Sequence, residues 1–180
     1  MADTGAMEDL QPDTKDWTWV LSRPCTECGF DPTAVRPSEV AGMIRDDAAL
    51  WVPRLHRPGV TVRTRADRWS ILEYGCHIRD VHRIFEHRVQ LMLTEHDPHF
   101  PNWDQDATAI ADDYGAQDPG TVATELFEAA SIVADTYDHV AADAWPRRGL
   151  RSNGSEFTVA TIAIYHLHDI VHHAHDVAAM

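Results

Sequence analysis

Apolar residues return at spacings of three and four along four separate stretches of this chain, and that period restricts its fold more than any other feature. Pro37 suits a first helical turn, where its missing N–H costs nothing, and Val40, Ile44, Ala48, Trp51 and Leu55 then share a face. These residues predict a first helix from about 37 to about 52, stopping near Pro53. Ser70 and Glu73 form an S-x-x-E capping box, so a long second helix begins there and ends before Asp97-Pro98. Asp118-Pro119 reads as an N-cap with a first-turn proline, and Val122, Leu126, Ala129, Val133, Tyr137 and Val140 carry the period up to Trp145-Pro146. The stretch from Phe157 to Val177 is the fourth helix, apolar at Ala160, Ile164, Leu167, Val171 and Ala174. Strand-like alternation is almost missing, so the expected fold class is all-α, a four-helix bundle.

A chain of 180 residues with 44% hydrophobic content suits one domain with an ordinary core. Residues 1–35, rich in Asp, Pro, Thr and Gly, are expected to form an irregular N-terminal extension whose tryptophans 17 and 19 lie against the body, with the bundle at 36–180. Residues 98–117 form a long connection with one short helix at Ala107 to Tyr114, and long connections inside compact domains are often functional.

Fifteen Lys and Arg against 29 Asp and Glu leave a formal charge of -14, which repels phosphate backbones and anionic lipid. No nucleic-acid or membrane partner is expected. The acidic start MADTGAMEDL has neither the basic flank nor the apolar core of a secretory signal, so a cytoplasmic location is expected. Cys25, Cys28 and Cys76 cannot all pair with one another, and reduced thiols or metal ligation fit them better than disulfides.

Twelve histidines are the compositional anomaly. His168 and His172 are four apart on the fourth helix and can converge on one ion, although such pairs also occur on polar faces or as capped core residues. They flank Ile164, Leu167 and Val171, at the edge of the apolar stripe, whereas His173 and His175 are expected to turn away. His77 shares a face with Tyr74, Val81 and Ile84 and is the natural third ligand; His82 and His87 are expected to be solvated. Three neutral imidazoles with an open fourth position match a catalytic zinc site, and nickel or iron(II) would accept the same set.

The run Trp69-Ser70-Ile71-Leu72-Glu73-Tyr74-Gly75-Cys76-His77 resembles the W-S-x-x-E-x-x-x-H signature of DinB-like proteins. His168-Asp169-Ile170-Val171-His172-His173 is similar to that family's late H-x-x-x-H, and the likeness covers about residues 37–178. The resemblance implies a four-helix bundle with a divalent metal on His77, His168 and His172. Many family members carry Gly-Gln after the last histidines where this chain has Ala174-His175-Asp176, and a shift of one makes Asp169 and His173 the ligands. The family includes mycothiol-dependent isomerases and transferases, bacillithiol transferases, hydrolase-like proteins, and a domain of the iron enzymes that join sulfur to trimethylhistidine.

The remaining signals are less specific. Cys25-x-x-Cys28-Gly29 resembles half of a zinc knuckle without a second ligand pair at matching spacing; a second metal, thiol chemistry and an ordinary tight turn are its three readings. Cys76 is expected to be a buried small side chain, and Glu73 to serve the cap in preference to orienting His77. Arg147, Arg148 and Arg151 offer an anionic cofactor group three cations, or are solvated loop residues. Tryptophans 17, 19, 51 and 103 are candidates for a pocket lining or for the core.

The resemblance thus implies an enzyme in which a metal activates a low-molecular-weight thiol toward a small electrophile, by S-transfer, exchange or isomerisation. Mycothiol leads because a single lysine amid abundant Ala, Arg, Asp and Val suggests a high-GC bacterial source. Hydrolysis of a small amide or ester at the same ion, and a non-catalytic metal- or ligand-binding bundle, are the alternatives. A homodimer is compatible with such a bundle.

Overall fold

The computed structural model describes residues 15–178. The acidic start of the chain, on which the expected location rests, and the first part of the extension lie outside the described residues. Four helices make the bundle: α1 (Val40–Leu55), α2 (Ile71–Thr94), α4 (Pro119–Asp138) and α5 (Val159–Ala178); a short α3 (Gln105–Ala111) lies in the connection after α2. Both α1 and α2 lie against α4 and α5, so the two helices consecutive in sequence sit across a diagonal of the bundle. The buried face of each helix is the one its period marks: Ile44, Ala48 and Trp51 on α1, Val122, Leu126 and Val133 on α4, Ile162, Leu167 and Ile170 on α5. No described helix is long and apolar enough to cross a membrane.

Helix boundaries follow local chemistry. Ser70 Oγ accepts from Glu73 N at 3.2 Å while Glu73 Oε2 accepts from Ser70 N at 2.7 Å, the reciprocal cap that starts α2. Asp118 accepts from Thr121 N at 2.8 Å to start α4. Pro53 does not stop α1, which runs on to Leu55, because a proline in the last turn removes few helical bonds and the buried Trp51 and Leu55 hold that turn. α4 ends at Asp138, earlier than its apolar period suggests, where the His139 N–H bonds back to Asp135 and Thr136 carbonyls.

Strands too short to show a period in sequence are the main departure from the expected all-helical body. β1 (His99–Phe100) pairs in parallel with β2 (Arg148–Arg151), which pairs antiparallel with β3 (Glu156–Thr158). Phe157 therefore lies in β3, and α5 begins two residues later, where Thr158 Oγ1 accepts from Thr161 N at 3.1 Å. Gly149 is required on β2: a Cβ there would lie 2.8 Å from both Met92 Cγ and Phe100 Cε1.

The described part of the extension is built of short 3-10 turns at Trp17–Leu21, Pro32–Ala34 and Pro37–Glu39, the first two capped by Asp16 and Asp31. Cys25 and Phe30 belong to the buried core, and the Trp17–Leu21 turn lies on α5.

Candidate metal centre

α2 and α5 run antiparallel, so residues meet in pairs along their seam. Tyr74 meets His173, His77 meets Asp169, and His82 meets His166. At the end of this seam near the start of α2, a pocket of about 290 Å³ is lined by residues of α5, including His168, Asp169, His172 and His173, by Trp69 and Tyr74, and by Lys15, Trp17 and Glu27 of the N-terminal segment. The capping box sets the start of α2 and thereby the height of His77, which is completely buried.

His77, Asp169 and His173 converge. Asp169 Oδ1 lies 3.4 Å from His77 Nε2 and 3.5 Å from His173 Nε2. Neither His77 Nε2 nor Asp169 Oδ1 has a hydrogen-bond partner in the protein although both are buried. Three donor atoms facing a common point at these spacings are what a small cation leaves between its ligands; bonds of about 2.0–2.1 Å to N and O in a tetrahedron place ligand atoms about 3.4 Å apart. His173 Nδ1 lies 3.2 Å from Asp176 Oδ2, which directs the other ring nitrogen to the cluster, and Asp176 is also 3.6 Å from Arg68. Trp103 stacks on the His77 ring, centroids 5.3 Å apart and 5° from parallel, with Trp69 at 5.1 Å on a tilt.

Electrostatics prepare two of these groups. Complete burial keeps His77 below the usual histidine range and outweighs the attraction of Asp169, so the ring is neutral and has a lone pair to offer. Burial pushes Asp169 upward, but the close approach of the His77 ring with the fields of His173 and His166 outweighs it and holds the carboxyl well below its ordinary value.

The structure divides the sequence candidates between two clusters. His77 is not beside His168 and His172; it meets Asp169 and His173, the pair one residue on, because each step along α5 turns the side chain about 100°. His173 faces the pocket half-buried instead of turning away. His168 and His172 face the N-terminal segment, on the adjoining wall of the same pocket, where they meet Cys25 and Cys28. The knuckle-like half-site thus has a second ligand pair, more than a hundred residues away in sequence, where no spacing rule would find it.

The other candidates have structural partners. Arg147 donates to the Met92 and Glu95 carbonyls at 2.6 Å and closes the end of α2, Arg148 pairs with Glu156 across the hairpin, and Arg151 is buried against Phe157 and Tyr165. None of the three lines the pocket. Glu73 serves the cap and an ion pair with Arg63. Cys76 is buried against the Tyr114 carbonyl and Gln117, and burial raises its thiol to about 12. His82 is fully buried beside His166, 3.0 Å between ring nitrogens, whereas His87 is exposed. Of the tryptophans, Trp51 is core, Trp17 and Trp69 line the pocket, and Trp103 backs His77. Sequence reasoning missed the Trp103 stack and the Asp176 contact; only the i,i+3 spacing of His173 and Asp176 hinted at the second.

No curated protein shows significant sequence similarity to this chain. Among solved structures it is similar to YfiT from Bacillus subtilis, described as a probable metal-dependent hydrolase with an unusual four-helix bundle topology. The TM-score is 0.69 and the identity 18%, over 79% of this chain and 84% of that one. That likeness speaks for the fold. The sequence pattern of the DinB superfamily matches residues 11–177, nearly the whole chain including most of the N-terminal segment, and the protein therefore belongs to the DinB superfamily.

Proposed function

We propose that this protein is a metal-dependent enzyme whose ion is held by His77, Asp169 and His173, and that it activates a low-molecular-weight thiol, mycothiol being the leading choice, for attack on a small electrophile. The observation that carries the reading is the convergence of His77 Nε2, Asp169 Oδ1 and His173 Nε2 around one point, two of them buried and unbonded. Two borderline imidazoles and a hard carboxylate form a donor set that suits zinc and accepts nickel or iron(II). When bound with a position left open, such an ion supplies Lewis acidity that lowers the pKa of a thiol or water and yields a strong nucleophile near neutral pH.

The chain's own residues do the rest. Asp176 holds the His173 ring, and the stacked Trp103 and tilted Trp69 hold His77, so the donors are set before a ligand arrives. Trp17, Trp69 and Tyr74 give the pocket apolar walls that exclude water, and its modest volume limits the reactants to small molecules. Carboxylates outnumber cations in the wall, Asp67, Asp106 and Asp176 facing Lys15 and Arg68, which favours neutral or cationic reactants over polyanions and offers acceptors for a thiol proton.

Hydrolysis is the second reading, favoured by the description of YfiT, the structural neighbour. Protein purified without a histidine tag separates the two. A thiol-dependent conjugation of 1-chloro-2,4-dinitrobenzene with mycothiol, lost in His77→Ala together with the zinc of the His77 cluster, supports the thiol reading. Cleavage of p-nitrophenyl acetate without thiol, lost in the same variant, supports hydrolysis. Equal zinc content in wild type and His77→Ala would overturn both.

A further inference from the structure

α5 carries two interleaved pairs of possible ligands, Asp169/His173 turned toward α2 and His168/His172 turned toward the N-terminal segment. The second pair meets a turn whose geometry the sequence dictates. In Cys25-Thr26-Glu27-Cys28-Gly29-Phe30, the Cys25 carbonyl accepts from Gly29 N at 2.9 Å and the Cys25 N–H donates to the Phe30 carbonyl at 2.8 Å. Gly29 takes a φ of 77°, a conformation open to glycine at little cost, and this tight loop turns both thiols inward.

The donor atoms of Cys25, Cys28, His168 and His172 all lie within 4.8 Å of one another. Cys25 Sγ is 3.8 Å from His172 Nδ1. Zinc bonded at about 2.3 Å to sulfur and about 2.0 Å to nitrogen in a tetrahedron places its ligand atoms about 3.4–3.8 Å apart, so the cluster is close to the size the ion needs. Cys25, His168 and His172 are buried, at 1%, 3% and 8% exposure. His168 Nε2 is buried without a hydrogen-bond partner, an unmet demand inside an otherwise packed wall of Trp17 and Phe30. The outer nitrogen of His172 faces Glu27 at 3.7 Å and Asp176 at 3.9 Å, carboxylates placed as outer partners of a ligating imidazole.

We propose that Cys25, Cys28, His168 and His172 bind a structural zinc ion, separate from the ion of the His77 cluster, which staples the N-terminal segment to α5. Four protein donors leave no open position, the mark of a structural rather than catalytic site. The staple joins residues 147 apart in sequence, a long loop whose closure in the unfolded chain is entropically costly. It also fixes the segment that contributes Lys15, Trp17 and Glu27 to the pocket wall. The zinc therefore shapes the pocket wall, to which His168 and His172 also belong, with no coordination position open to a reactant. The inference does not rest on the proposed chemistry, since either ion can be lost while the other stays.

The test uses full-length, tag-free protein. Zinc content is expected at about two equivalents per chain, falling to about one both in His77→Ala and in Cys25→Ser/Cys28→Ser. After cobalt(II) exchange, wild type and His77→Ala show thiolate-to-cobalt charge-transfer absorption and the double serine variant does not. Should that variant fail to fold, titration of wild type with p-hydroxymercuribenzoate serves instead: capping the thiols releases about one of the two zinc ions. A Cys25–Cys28 disulfide in freshly purified protein, zinc at one equivalent with no thiolate band after cobalt exchange, or thiol capping that releases no zinc would each overturn the proposal.

Discussion

Asp169 and His173 show how much chemistry depends on one residue of register. His168 and His172 have the same spacing on the same helix, yet they are more deeply buried and meet sulfur where their neighbours meet His77. Within the His77 cluster, Asp176 is the side chain that touches His173 from outside the donor trio, at 3.2 Å against 3.9 Å to His172. Asp176→Asn is expected to weaken zinc binding at that site about 10- to 100-fold while the helices stay folded, the usual cost of losing an outer carboxylate. Competition with a chromophoric chelator measures it, and unchanged affinity would mean that the His173 ring is held by packing alone.

At the scale of elements, the start of α2 carries the greatest consequence, because His77 stands two turns inside it. Ser70 is fully buried, so Ser70→Ala strands the Glu73 N–H away from water. The expected loss is about 1–2 kcal/mol, read as a lower urea midpoint with unchanged slope. No shift in the midpoint would show that the ion pair of Arg63 with Glu73 holds this turn without the serine. Residues legible in sequence at this scale were those with a local job: the S-x-x-E cap, Asp118-Pro119, and the apolar stripes of the four bundle helices. Pro53 and the three short strands were not legible. The first was overridden by the burial of Trp51 and Leu55, and strands of two to four residues carry no readable period.

Across the whole molecule, the seam between α2 and α5 buries histidines in neutral form. His166 accepts or donates between Tyr137 Oη at 3.3 Å and His82 at 3.0 Å, and burial drives His82 down to about 3 and His166 well below 6.5. In the unfolded chain both take up a proton near pH 6.5, so below that pH the unfolded state binds more protons and stability falls. Each contributes up to about 1.4 kcal/mol per pH unit. In EDTA-treated protein, His82→Gln, which keeps a hydrogen-bonding partner for His166, is expected to flatten the fall in unfolding free energy between pH 6.5 and 5 by about one proton's worth. An unchanged slope would mean that His82 is already protonated, or solvated, in the folded state.

Local features are legible in the chain alone: which stretches are helical, where two of them are capped, that His77 stands near the start of one helix and that four candidate ligands stand in two i,i+4 pairs on another. Those follow from the 3.6-residue turn and from hydrogen bonds spanning three or four residues. Which pair meets which partner was decided only by tertiary structure. The rotation of α5 against α2 is set by packing of Ile162, Leu167 and Ile170, and it turns Asp169 and His173 to His77. The same rotation presents His168 and His172 to Cys25 and Cys28, and no local rule links positions 25 and 172, because their meeting is the sum of every helix packed between them.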